Sequence, residues 1–291
     1  MPRPHLLPLP LTLALGLFAG CGEGHPELQN LGSDTMLEVA GAWSQAYHAV
    51  HPQVVVSVSG GGSGTGIANL IAGDVDIANS SRHLKDSEIE AAKKHGHTPV
   101  QHHVGYDGIA LYVHKDNPLQ SVTLEQLREM FGDGGKISKW SQLGVKIGDG
   151  GTNDDTIVLA SRQNNSGTYE YFHEAVLSGD NSRYKSEYNN LNGSKDVVDF
   201  CGKTRSAIGY SGLAYATTAV RIVPVAKTAG APAVIPTAAT VLDGSYPISR
   251  PLFMYTNGEP TGEVKLYLDW IKSDAGQRVL QEHGYPPLRP L

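Results

Sequence analysis

Three stretches of this chain set small hydroxyl side chains directly ahead of helical patterns. They are "GSDTMLEVA" from Gly32, "SGGGSGTGIANL" from Ser59 and "SRQNNSGTYEYF" from Ser161. In the first, Thr35 stands three residues before Glu38, a capping-box spacing that starts a helix near Met36. In the third, Ser166, Gly167 and Thr168 follow Arg162 and run into a helical turn containing Glu170. One Ser or Thr at a helix start is a good N-cap and carries no functional weight. Three such turns have a joint chemistry. Helix N-termini offer unpaired N–H donors and partial positive charge, hydroxyls add short donors, and Arg162 adds a planar fork. That set suits a small tetrahedral oxyanion such as phosphate or sulfate.

The middle stretch packs five glycines between Gly60 and Gly66 around Ser63. Gly61 and Gly66 satisfy half of a P-loop, but Ile67 and Ala68 stand where its Lys and Ser/Thr belong, and no window fits G-x-G-x-x-G. Nucleotide binding is therefore disfavoured. What remains is a tight turn or an anion cradle of backbone N–H groups.

A hydrolase using Ser166 as nucleophile lacks both a G-x-S-x-G elbow and an evident base, so the chain is not read as an enzyme. His95, His97, His102 and His103 cluster in sequence and are read as a solvated loop after a helix; no metal and no cofactor are assigned. Cys201 is read as a small packing residue.

The elements that must hold these turns alternate in type. Val54 to Val58, a helix beginning at Ile67, and "DVDIANSS" from Asp74 make a βαβ unit and hence a parallel pair. Helices are expected at Asp86 to Lys94, Leu124 to Phe131, Tyr169 to Leu177 and Val264 to Gln281. Strands are expected from Asp107 ("DGIALYVH") and at Ile157 to Ala160, Ala207 to Tyr210 and Leu252 to Tyr255. This is an α/β pattern. "KTAGAPAVIPTAAT" reads as a surface loop or linker.

With 291 residues, 40% of them hydrophobic and 18% charged, the chain can build one large or two medium domains. A net charge of −6 gives no broad attraction to nucleic acid or an anionic membrane, so an anion must be caught locally. Residues 1–21 read as a secretion signal whose end, "FAGC", resembles a lipobox with Cys21 as the acylated residue. Phe18 departs from the usual Leu there, and a plain secretory signal is the alternative. Either places the mature protein in the periplasm or at the cell surface.

These pieces occur in a recognisable order. From about Leu28 to Leu288, "GSDT", "VSGGGSGTGIANLIAGDVDIANSSR", "SRQNNSGTYEYF", "AIGYSGLAYA" and "YLDWIKSDAGQRVLQEHGYPPL" together resemble the phosphate-binding proteins of bacterial ABC-type phosphate importers. The resemblance implies a two-lobed, type II periplasmic-binding-protein fold. Each lobe would be a mixed sheet flanked by helices, with the ligand in the cleft and closure about a hinge. It implies lobe I at 26–104 plus 247–291 and lobe II at 105–246. Thr35, Met36, Ser63, Ser81 and Arg82 would bind phosphate from the first lobe, and Arg162, Ser166, Gly167 and Thr168 from the second. The partners implied are phosphate and a membrane ABC permease, with no nucleic acid, membrane contact only through a lipid anchor, and a monomeric state.

One departure bears on selectivity. A branch of that family has Asp where this chain has Ser81, and such a carboxylate accepts the proton that phosphate carries and sulfate lacks. Asp34 is the candidate substitute, against a plainer role beside the helix N-cap. Another tetrahedral oxyanion (sulfate, molybdate, arsenate) and a phosphate sensor or surface protein are the alternatives.

Overall fold

The structure, a computed structural model, describes residues 27–147, 155–177 and 183–291. The signal sequence, Cys21 and the first residue of the expected lobe I lie outside the described residues.

Strand β1 (Glu27–Gly32) leads through the Ser33–Met36 turn into helix α1 (Leu37–Val50). Strand β2 (Val55–Ser59), helix α2 (Ser63–Ala72) and strand β3 (Ile77–Ser80) then form the expected βαβ unit, with β2 and β3 both parallel to β1. Helix α3 (Asp86–Lys94) precedes a long strand, β4 (Pro99–His114). Beyond it lie β5 (Val122–Thr123), α4 (Leu124–Phe131), β6 (Val158–Arg162), α5 (Gly167–Val176), β7 (Asn189–Leu191) and α6 (Ser194–Lys203). There follow β8 (Ala207–Gly212), β9 (Val220–Val223), β10 (Val225–Ala226), a short α7 (Ala238–Leu242) and β11 (Ser249–Asn257). Helices α8 (Gly262–Lys272) and α9 (Asp274–Glu282) close the chain.

Nine strands form one curled sheet in the order β2-β1-β3-β11-β4-β8-β6-β7, with β9 also on β4. Strand β4 serves both halves. Its residues Pro99 to Gly108 pair with β11, and Ile109 to Val113 pair with β8. Each half has its own core. One gathers Trp43, Tyr47, Ile77, Leu252, Met254 and Tyr267. The other gathers Phe131, Trp140, Leu159, Phe172 and Tyr210, with Phe172 stacked on Tyr210 at 3.8 Å. The architecture is α/β, as the alternation of elements suggested, and two-lobed, as the resemblance implied.

Local chemistry explains several departures from the sequence expectations. The helix anticipated from Val264 to Gln281 is two helices, because Ser273 has extended backbone (ψ 168) and "KSD" supplies a stop and a start in one step. The Thr35–Glu38 capping box does not form: Met36 is the N-cap residue of α1 and no side chain caps it. The histidines do not share a solvated loop. His102 lies on β4, buried, with Nε2 2.9 Å from Thr256 Oγ1, and burial holds its pKa below the ordinary value. Cys201 packs under Gly209, and burial pushes its thiol up to about 12, far from reactive.

Candidate functional site

Parallel strands deliver their following loops to one edge of a sheet, and here three such loops meet: β1–α1, β2–α2 and β6–α5. The loop after β3 joins them with Ser80 to Arg82. Because Thr35 is spared from capping α1, its hydroxyl turns inward, 2.8 Å from Thr168 Oγ1 on the opposite wall. Ser33 donates to Ser81 Oγ at 3.1 Å, Ser63 Oγ lies 3.4 Å from Ser81 Oγ, and the Ser81 N–H donates to Ser63 Oγ at 3.1 Å. All five hydroxyls are buried.

The glycines have a geometric reason. Gly62 adopts φ 91°, open to glycine but not to ordinary side chains, and a Cβ there would sit 2.8 Å from the Asn165 carbonyl. That closeness lets the Gly64 N–H donate to Asn165 O at 2.9 Å, joining the two walls. A Cβ on Gly167 would lie 2.4 Å from Ser63 Oγ and 2.6 Å from Ser81 Oγ, so the start of α5 seats directly on the serine cluster.

Charge is equally ordered. Arg162, at the end of β6 and 1% exposed, reaches across to Asp34 at 2.7 Å and also donates to Ser194 Oγ (2.9 Å) and Asn192 O (2.9 Å). Its Nε is buried without a partner among the described residues, as is the Nε of Arg82. Burial pulls the Arg162 guanidinium below its ordinary pKa, which Asp34 opposes. Both Asp34 carboxylate oxygens are engaged, Oδ2 by Arg162 and Oδ1 by the Gly61 N–H at 2.7 Å.

The remaining expected residues are placed less directly. Met36 is fully buried and its N–H donates to Ser33 O, so its contribution is to fix the turn. Ser166 caps α5, its Oγ accepting from the N–H groups of Thr168 (3.2 Å) and Tyr169 (3.4 Å). The Arg82 guanidinium is turned to α3, where it forms a bidentate pair with Glu88 at 2.7 and 2.8 Å. Its charge is therefore spent one shell away from the hydroxyls.

Two residues at the centre have no counterpart in the sequence expectations. Asp107 on β4 and Arg250 on β11 are cross-strand partners, 2.7 Å apart, with side chains fully buried. Arg250 Nη2 also donates to Thr35 Oγ1 (3.1 Å) and Thr168 Oγ1 (3.0 Å), and Nη1 to Ser81 O (3.0 Å). The signal was present as a lone charge inside each apolar run, "GYDGIALYV" and "ISRPLFMY". Among the described residues no His, Cys, Asp or Glu cluster could hold a metal ion, and no helix is long and apolar enough to cross a membrane.

A curled α/β sheet shared by two lobes, with helix starts, hydroxyls and guanidiniums meeting between them, defines a two-lobed solute-binding protein. A family profile described as the PBP superfamily domain matches residues 22–275. The chain is 33% identical over 273 residues to phosphate-binding protein PstS of Pseudomonas aeruginosa, covering 90% of this chain and 83% of that one. It is 31% identical to PstS of Bacillus subtilis, covering 89% and 80%. A phosphate ABC transporter substrate-binding protein of Clostridium perfringens, solved with bound phosphate, superposes with a TM-score of 0.78 at 30% identity over 90% of this chain and all of that one. The chain belongs to the PstS-type phosphate-binding proteins of the PBP superfamily.

Proposed function

We propose that the protein captures inorganic phosphate outside the cytoplasm and delivers it to an ABC permease, making and breaking no bond. The observation that carries this is five buried hydroxyls where loops reach one edge of the sheet, with Arg162 at the foot of one of those loops, buried and with no partner for its Nε among the described residues. A desolvated oxyanion needs its water replaced by fixed donors, and charge-assisted hydrogen bonds from such groups supply them.

In this reading Thr35, Thr168, Ser63 and Ser81 offer the O–H groups not used among themselves, and Arg162 donates from its guanidinium. Met36, Ser166 and Gly167 shape the turns that admit the anion, and Arg82, its charge paired with Glu88, fixes the loop behind Ser81. Asp34 is the candidate acceptor for phosphate's remaining proton, reached by giving up one of its contacts to Gly61 or Arg162. Ser166 serves as an N-cap rather than a nucleophile, in keeping with a non-enzymatic role. We take the lobes to be 26–104 plus 247–291 and 105–246, in keeping with the change of partner along β4 at Gly108. "FAGC" supports a lipid anchor on Cys21, and we take the protein to be a monomer.

Calorimetric titration of phosphate into anion-stripped protein, with and without excess sulfate, tests this. Submicromolar binding that survives sulfate is expected. Equal displacement by sulfate would transfer the site to tetrahedral dianions in general, and no binding of either would overturn the reading.

A further inference from the structure

We propose that Arg250, held in place by Asp107, is the second guanidinium of the anion site and the group that sets its threonine hydroxyls as donors. This rests on the phosphate reading above.

A buried ion pair that served only the fold would direct its donors at one another and at carbonyls. The Asp107 bonds fit that role: its Oδ2 accepts from Arg250 Nε (3.1 Å) and Nη2 (2.7 Å), and its Oδ1 from the Leu213 N–H (3.3 Å). Fully enclosed and accepting three N–H donors, Asp107 is turned to Arg250 and Leu213. Arg250 differs, because the rest of Nη2 is aimed at Thr35 and Thr168, one from each wall. The Tyr171 ring, 5.8 Å from the guanidinium carbon, limits its movement on another side.

Proton accounting gives this arrangement a use. Thr35 and Thr168 both accept from Arg250 and share one O–H between them, so one threonine O–H is left to donate elsewhere. Ser33 donates to Ser81, and Ser63 and Ser81 share one O–H, so one serine O–H is left as well. Without Arg250 the threonines could satisfy each other in either direction and present an acceptor as readily as a donor. With it, the Nη2 N–H not held by Asp107 is shared between the two threonine oxygens, which occupies acceptor positions on both and biases the pair towards offering its free proton.

The two guanidiniums are also electrostatically coupled: burial lowers the Arg162 pKa most, and the nearby Arg250 charge lowers it further. Each is paired with one carboxylate, Asp34 or Asp107, so the pairs sum to zero charge and a dianion is met by aimed N–H donors rather than by excess positive charge. Asp107 is accordingly a positioning residue, and Arg250 the one that meets the ligand.

The test uses R250K, D107N and the double variant R250M/D107L, with phosphate affinity measured by calorimetry from about pH 5.5 to about pH 8. Ligand-free thermal unfolding reports folding, and R250K keeps a charge beside Asp107 should the apolar pair fail to fold. Wild-type affinity is expected to rise with pH as phosphate becomes dianionic. R250K and the double variant are expected to lose about 30-fold or more at pH 8, and D107N about 10-fold. All three should flatten the rise, because the second negative charge no longer meets an aligned guanidinium. A purely structural role would weaken binding equally at every pH. Parallel pH profiles, or folded R250K within about threefold of wild type, would overturn the proposal. Failure of the wild type to bind phosphate would instead remove the phosphate reading on which it stands.

Discussion

Gly167 illustrates how single atoms decide this site. Its missing Cβ is the space in which Ser63 and Ser81 approach the start of α5. Gly167→Ala forces a methyl against two buried hydroxyls, and overpacking of this kind costs about 1–3 kcal/mol. Because the strain arises where the walls meet, it is expected to appear as weaker phosphate binding, with thermal unfolding of ligand-free protein little changed. A fall in melting temperature with unaltered affinity would place the strain elsewhere. Arg162→Ala is the complementary case, removing a charge-assisted partner rather than adding a methyl. It should weaken phosphate binding by about 2–3 kcal/mol. Less than a threefold change in calorimetry would exclude Arg162 from ligand contact.

At the scale of elements, the link from β3 through Arg82 to α3 makes a prediction of its own. Glu88 is the N3 residue of α3; its carboxylate accepts the Lys85 N–H at 2.8 Å and grips Arg82. Burial raises its pKa, but the hydrogen bonds and charges of Arg82 and Lys85 outweigh that and leave it lowered. A carboxyl with a depressed folded pKa contributes stability fully above its unfolded value, near 4.5, and loses it as pH falls through the folded value. Glu88→Gln should therefore destabilise by about 1–3 kcal/mol at neutral pH and progressively less as pH falls below 4.5, read from denaturant melts across that range. An equal loss at every pH would separate Glu88 from any ionic role.

Elements were also where sequence reasoning was strongest. Helices α3 and α4 fall at the residues that periodicity and capping indicate, and the βαβ unit around Ser63 was legible from its glycines and β-branched runs. Thr35, Ser63 and Thr168 could be singled out because hydroxyls at helix starts leave a local signature. Arg250 and Asp107 were marked only as lone charges in apolar runs; their significance is a register between strands 143 residues apart in sequence, and no local pattern encodes a pairing. The direction of the Arg82 side chain was not legible for a related reason: a sequence places its Cα but not the Glu88 that claims its guanidinium. The break at Ser273 was written in "KSD", yet the apolar period runs through it undisturbed.

For the whole molecule, contacts between the walls are of unequal worth. Lys85 and Glu170 meet at 2.8 Å on the rim, with Lys85 47% exposed. Such pairs are worth about 0–1 kcal/mol, so Lys85→Ala should leave phosphate affinity within about fivefold while increasing its salt dependence no further. The buried contacts, by contrast, are made only when both lobes are in place. Phosphate is expected to raise the melting temperature and to compact the protein in small-angle scattering. At 100 times its dissociation constant the ligand adds about 2.7 kcal/mol of stability. A ligand-dependent melt without compaction would mean that binding and closure are separable.

Both lobes hang on β4 and β11, and these two strands are neighbours, antiparallel and hydrogen-bonded over most of β11. A paired ribbon twists and bends readily but does not slide, since a slip of one residue would turn every side chain to the wrong face. The relative motion of the lobes thereby collapses from six rigid-body coordinates to little more than one. The two halves need no search to find their alignment: once the ribbon flexes, Thr35 and Thr168 can approach along only one path, with Arg250 standing at its end.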